Sequence, residues 1–128
     1  LPVRFERDDD FLKIILEGTI SLEDLYAGVD EIYAYEAIPQ KVLWDMHNGY
    51  PGEDDDISAS LREFSRYATA KGKDRSNGKV ALIAPSALNF GLSRMSTTFA
   101  EQNNAAYDMK PFRDESEAMA WLYGDTDD

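Results

Sequence analysis

Apolar and polar positions change rhythm several times along the chain. Val3 and Phe5 alternate with Arg4 and Glu6, and an apolar run from Phe11 to Leu16 is broken by Lys13. With Asp8-Asp9-Asp10 as the turn between them, these stretches predict a β-hairpin. From Ser21 the spacing lengthens. Leu22, Leu25, Val29 and Ile32 fall on one helical face, and Ser21 followed by Asp24 carries the pattern of an N-terminal cap. This helix is expected to end near Ala37, ahead of Pro39. Val42-Leu43-Trp44, inside Lys41 to Met46, then predicts a short strand covered on both faces.

Asn48-Gly49, Pro51-Gly52 and the acids Glu53 to Asp56 make the stretch from His47 to Asp56 the longest expected loop. A second helix should start near Asp56, burying Ile57, Leu61, Phe64 and Ala68 while Arg62, Glu63 and Arg66 face water. Gly72 to Gly78 reads as a polar, basic turn. Val80-Ala81-Leu82-Ile83-Ala84 is the clearest buried strand, closed by Pro85. Ser86 can cap a third helix with Leu88, Leu92, Met95 and Phe99 on one face. Ala106 to Phe112 suits a last strand, and Asp114 with Glu117 caps a final helix carrying Ala118, Trp121 and Leu122.

The resulting order is β-β-α-β-α-β-α-β-α. Strands separated by helices need crossover connections, so the fold class expected is α/β: a mixed, mostly parallel sheet of four or five strands with helices packed against it. No internal repeat or composition shift divides the chain. Residues 1–124 are expected to form one domain, with 125–128 as a loose acidic tail.

Composition narrows the partners. Thirteen basic residues stand against 25 acidic ones, a formal charge of -12, so the surface field repels phosphate backbones and anionic lipid headgroups. Neither nucleic acid nor membrane is expected as a partner. The apolar runs fall far short of the ~20 residues that span a bilayer, and no basic segment leads into an apolar signal core, which points to a soluble, cytoplasmic protein. The absence of cysteine removes disulfides, thiolate metal sites and cysteine nucleophiles together.

Candidate chemistry is sparse. His47, the only histidine, follows Asp45 at the C-terminal end of a strand, where open α/β sheets place ligands. Asp45, His47 and Tyr50 are therefore candidate ligand or partner contacts. Positions two apart on a strand share a face, so Asp45 and His47 could converge in a cleft, as an enzyme would need. Consecutive carboxylates at Glu53 to Asp56 do not alternate as an EF-hand does, and they suit an acidic helix start better than a metal site. Phosphate loops of the Gly-x-Gly-x-x-Gly and Gly-Lys-[Ser/Thr] types are missing, as is Gly-x-Ser-x-Gly, so no cofactor is implied. Gly91 inside a helix costs about 1 kcal/mol relative to Ala, which suggests that something packs closely there. Arg94, one turn on, offers a fork of donors to an anion or a partner's carboxylate, or pairs with Glu101 or Asp114. Tyr26, Tyr33 and Tyr35 straddle the buried stripe of the first helix and suit half-buried cover for the sheet edge or a self-association face.

Three segments carry a resemblance: Gly78-Lys79-Val80-Ala81-Leu82-Ile83-Ala84-Pro85-Ser86, then Gly91-Leu92-Ser93-Arg94-Met95, then Pro111-Phe112-Arg113-Asp114 with Ala118-Met119-Ala120-Trp121-Leu122. Together they resemble the SpoIIAA-like family of bacterial proteins, relatives of STAS domains (sulfate transporter and anti-sigma-factor antagonist). The resemblance implies a sheet of four or five strands with packed helices and kinship in fold with lipid-exchange (CRAL-TRIO) domains. In STAS antagonists of sigma regulation, a serine at the start of the helix after the third strand is phosphorylated within Asp-Ser-[Ser/Thr]-Gly. Here that region reads Asp55-Asp56-Ile57-Ser58-Ala59-Ser60, which lacks the glycine and the paired hydroxyls and leaves Ser58 as the nearest phosphorylation candidate.

The expected role is a non-enzymatic regulatory or interaction module, expected as a homodimer, that presents its strand-end loops and third helix to a protein partner or small ligand. The alternative is a carrier that binds a small apolar or lipid-like molecule between helices and sheet. An enclosed apolar cavity beneath the second or third helix would favour the carrier. A flat apolar face would favour the module.

Overall fold

Alternation in the central strands decides what lies on each side of the sheet. The computed structural model describes residues 3–52, 56–75, 78–84 and 86–124. The acids at 53–55, Pro85, the side chain of Leu88 and the tail at 125–128 lie outside the described residues. Seven strands are described: β1 (Val3–Asp8), β2 (Phe11–Leu16), β3 (Gly18–Ile20), β4 (Lys41–Asp45), β5 (Gly49–Pro51), β6 (Lys79–Ile83) and β7 (Asp108–Phe112). The helices are α1 (Leu22–Ile32), α2 (Ile57–Lys71), α3 (Ala87–Gln102) and α4 (Glu115–Tyr123).

The main sheet has five strands in the order β1-β2-β4-β6-β7. β1 and β2 form the expected antiparallel hairpin, and the other three pairings are parallel. The hairpin turns through Asp9 at φ 55, a left-handed position that Asp tolerates. Asp10 then ties the turn to the start of β4: its carbonyl accepts from Lys41 N–H at 3.1 Å and its carboxylate from Gln40 N–H at 2.9 Å. One acid of the Asp8-Asp9-Asp10 run is thus structural rather than merely solubilising.

Leu12, Ile14, Val42, Trp44, Val80 and Leu82 share one face and form the larger core with residues of α1 and α2. Leu43, Ala81 and Ile83 share the other face and pack against Ala118 and Leu122 of α4. Capping follows the sequence signals. Ser21 and Asp24 form a complete capping box on α1, while Asp56 and Asp114 accept from Ala59 and Glu117 N–H groups at the starts of α2 and α4.

Three expectations need correction. The first helix ends at Ile32 rather than near Ala37, with Tyr33 as its C-cap and Ala34 N–H bonded to the Glu31 carbonyl in a tightened last turn. The stretch from His47 to Asp56 is not simply loop. Its Gly49–Pro51 segment pairs in parallel with Gly18–Ile20 as a second, two-stranded sheet, so seven strands are described where five were expected. And among the described residues nothing approaches Gly91: a Cβ built there meets none of their atoms within 4 Å, and the residue is exposed. Close packing does not explain that glycine, and nothing else in the structure does.

Candidate functional site

Helices α1, α2 and α3 do not settle fully onto the sheet. Between them and β4, β6 and β7 lies a cavity of about 420 Å³, within the usual range for small-molecule sites. Trp44, Val80, Leu82 and Met109 form its floor. Leu25, Val29 and Ile32 of α1, Ile57, Leu61, Phe64 and Ala68 of α2, and Leu92, Ser93 and Ser96 of α3 form its walls. Apolar side chains dominate, and among the described residues that line it Arg75 alone carries a charge.

Local sequence choices create the space. Gly28 lets α1 lie directly on the Trp44 ring, because a Cβ there would sit 2.5 Å from the indole. The indole is in turn edge-on to Phe64 with ring centroids 6.5 Å apart. Tyr26 closes the α1–α2 seam through Phe64 and Tyr67, and Tyr67 donates to Asp30 across it. On α3 two of the three residues that line the cavity, Ser93 and Ser96, are small and polar, so beside Leu92 this wall lacks the bulk that would fill the gap. Asn103 anchors the far end of α3 by donating to Ser65 of α2 at 3.2 Å.

The cavity has two dissimilar ends. At the C-terminal ends of the parallel strands, Thr19, Ser21, Pro51 and Gly52 line it, and Thr19 and Ser21 are exposed to solvent. The short β3–β5 sheet builds this rim, with Gly18 N–H donating to the Asn48 carbonyl at its start, while Met46 N–H extends the β4–β6 pairing by donating to the Ile83 carbonyl. At the N-terminal edge, five residues or roughly 16 Å of strand away, Arg75 is only 4% exposed and Tyr107 6%. Arg75 Nε and Nη2 donate to the Pro39 carbonyl at 3.2 and 2.9 Å, its guanidinium lies 5.4 Å from the Tyr107 ring centroid, and the Tyr33 hydroxyl sits beside it. Burial raises the pKa values of Tyr33 and Tyr107 and lowers that of Arg75. Gly72 makes room for both tyrosines, since a Cβ there would collide with each.

The residues expected to form a site lie outside this cavity. Asp45 falls on the opposite face of β4 from Trp44, 3.8 Å from Lys13, which also reaches Glu115 of α4 at 3.3 Å. His47 is exposed, and its backbone N–H donates to Asp45 Oδ1 at 2.9 Å. The Asp45 carboxylate is thus engaged by Lys13 and by the His47 backbone, on the side of β4 away from the cavity. Tyr50 is 55% exposed on β5, although its neighbour Pro51 lines the cavity. Arg94 is exposed on the outer side of α3 and, among the described residues, forms no ion pair with Glu101 or Asp114. Ser58 is half-buried in the first turn of α2, just after the capping carboxylate of Asp56. Among the described residues no cluster of three or more His, Asp or Glu side chains is placed to hold a metal ion, and no helix is long and apolar enough to cross a membrane.

Sequence reasoning missed Arg75 because Gly72 to Gly78 looks like solvated turn. A signal is present nonetheless: two glycines flank the arginine at equal distance, and a Cβ at Gly78 would crowd its side chain at 3.0 Å.

Solved structures match over nearly the whole chain. One is an uncharacterized protein of the DUF3478 family with a SpoIIAA-like fold from Shewanella loihica PV-4, at TM-score 0.54 and 21% identity, covering 94% of this chain and 91% of that one. Another is the anti-sigma factor antagonist SpoIIAA in its unphosphorylated form, at TM-score 0.57 and 15% identity, covering 98% and 99%. The fold is SpoIIAA-like. The phosphorylated form of the Bacillus cell fate determinant SpoIIAA matches as well, at TM-score 0.50 and 16% identity, covering 94% and 98%. No family model and no curated protein matches the sequence. At these identities the likeness is one of fold, and in this SpoIIAA-like frame the cavity occupies the space between the sheet and its three-helix layer.

Proposed function

We propose that this chain is a non-enzymatic binding module that takes up a small apolar molecule between its sheet and the α1–α3 layer, and that its role is regulatory. The observation that carries this reading is the cavity of about 420 Å³, walled by apolar side chains and open at the β3–β5 rim. Protein interiors normally close to crystal-like density, so a space this large beneath three helices favours an occupant over poor packing. The regulatory half of the reading draws on the fold alone, since one structure with that fold is an anti-sigma factor antagonist.

A flat protein-docking face has less support. The exposed large apolar side chains among the described residues, Ile38, Tyr50 and Tyr123, lie on three separate segments. Tyr50 and Arg94 remain the contacts we assign to a protein partner that senses the filled state, because both are exposed and flank the cavity on β5 and α3. Ser58 would be the modified residue if this module is phosphorylated. Asp45 and His47 support binding at the strand ends better than catalysis, given that the Asp45 carboxylate is already engaged by Lys13 and the His47 backbone.

Trp44 on the cavity floor makes the proposal measurable. The chain has two tryptophans, and Trp121 packs on Phe112 on the far side of the sheet. In a Trp121→Phe variant, titration with 1-decanol should produce a saturable change in Trp44 emission. Emission that stays constant through the titration, with native mass spectra of the cell-derived protein showing the bare chain mass, would defeat the reading.

A further inference from the structure

Resting on that reading, we infer that the occupant is a carboxylate-headed amphiphile, with its head on Arg75 at the closed end and its apolar tail running toward the β3–β5 rim. Arg75 is 4% exposed, and among the described residues no carboxylate forms an ion pair with it. A buried cation with no counter-ion in contact is costly; Asp10 acts on this one only from beyond ion-pair distance, and an anion delivered by a ligand offsets the remaining cost. Its pinned orientation suits the task. With Nε and Nη2 held on the Pro39 carbonyl, Nη1 carries no bond to that carbonyl, and Tyr33 and Tyr107 pack around the group.

Charge count selects the head. The cavity lining has one cation, Arg75, and no Lys or His among the described residues. A single guanidinium neutralises one carboxylate and matches its two oxygens, whereas a phosphate dianion would retain an unpaired charge. Volume selects the tail. At roughly 30 Å³ for a group of methylene or water size, the cavity of about 420 Å³ holds about 14 such groups, room for a ten-carbon chain together with its carboxylate. The strongly acidic surface also disfavours anions everywhere else on the molecule, so an anionic ligand that binds must find a local positive site.

The test compares decanoate, 1-decanol and decylamine on the wild-type chain at neutral pH, reading tryptophan emission and, independently, calorimetric heat. Decanoate should bind about tenfold or more tightly than decanol, as expected for a charge-assisted pair out of water, and decylamine should bind most weakly. Arg75→Gln should bring decanoate down to the affinity of decanol, and Arg75→Lys should restore part of the difference. Because Arg75 also fastens the Pro39 carbonyl, either variant could fail to fold, but the three-ligand ranking on unmodified protein decides the matter without them. Equal or tighter binding of decanol overturns the assignment of Arg75 while leaving apolar binding intact. Failure of all three ligands to bind overturns both.

Discussion

The two faces of the sheet are built from the same strands yet pack to different degrees. On the α4 side, Leu43 and Ala81 are fully buried against Ala118 and Leu122, and Lys79 secures the arrangement by donating to the carbonyls of Trp121 and Gly124 at the end of α4. On the α1–α3 side, Trp44, Val80 and Leu82 look into open space. One nine-residue helix closes its face, while α1, α2 and α3 together leave a void on theirs. Helix count does not decide closure here. What decides it is how well the side chains that meet fill the space: Ala81 and Ala118 let α4 approach closely, whereas Leu92, Ser93 and Ser96 of α3 bring too little bulk to fill the space over Val80 and Leu82.

The largest effect expected from this contrast comes from truncating one leucine on each side. Leu43→Ala should cost about 3 kcal/mol, because a 0%-exposed side chain in a closed core loses transfer energy and leaves a new hole. Leu61→Ala should cost about 1.5 kcal/mol, since Leu61 already borders the void and has fewer contacts to lose. Urea unfolding monitored by circular dichroism measures both. If Leu61→Ala costs as much as Leu43→Ala, the two faces are equally packed and the contrast is lost.

Adding bulk should rank the two faces in the same order. Ala118→Leu forces extra carbons into a site with no free volume and should destabilise by about 2 kcal/mol. Ser96→Leu projects the same group into the cavity and removes a hydroxyl bonded back to the Leu92 carbonyl at 3.1 Å. Its stability should stay within about 0.5 kcal/mol of wild type, while decanol binding disappears. A stable Ser96→Leu protein that still binds decanol would place the ligand elsewhere.

Much of this architecture could be read from the chain, and the parts that could not share a cause. Continuous apolar runs at Val80 to Ala84 and Phe11 to Leu16, separated by stretches of helical spacing, were enough to anticipate the parallel sheet and its antiparallel first strand. Periodicity reports which face of an element is turned inward, but it does not report whether two inward faces touch. The stripe of Ile57, Leu61, Phe64 and Ala68 would look the same over a filled core or over a cavity. Gly18–Ile20 and Gly49–Pro51 have no alternation to detect, being three-residue strands rich in turn-forming residues. The first helix looked longer than it is because Tyr33 and Tyr35 continue its spacing. Their side chains are instead engaged by Arg75 and Arg7 once the chain has left the helix.

The strand-end candidates lie away from the cavity for a reason that the same alternation contains. Asp45 sits one position from Trp44 and so falls on the α4 side, where Lys13 lies 3.8 Å from it and its carboxylate accepts from the His47 N–H. The charge that does reach the cavity comes from the opposite edge of the sheet, out of a turn that composition alone assigned to solvent.

The smallest expected effect is confined to alkaline pH, and it too separates the two faces. Tyr26, Tyr33, Tyr35, Tyr67 and Tyr107 all lie on the α1–α3 side, and all have pKa values raised above 10.0. Desolvation leads for Tyr26, Tyr33 and Tyr107. Hydrogen bonds donated to Glu31 and Asp30 lead for Tyr35 and Tyr67. A phenol whose folded pKa exceeds its unfolded value stabilises the fold fully below the unfolded value, and that contribution is lost as pH rises through the folded one. Stability should therefore be flat with respect to these groups around neutral pH and decline above about pH 10. In the Trp121→Phe variant, Trp44 emission should change over the same interval in which phenolate absorbance grows, because ionising Tyr33 or Tyr107 places a second buried charge beside the cavity. If Trp44 emission shifts well below pH 10, some group other than these tyrosines holds the helix layer on the sheet.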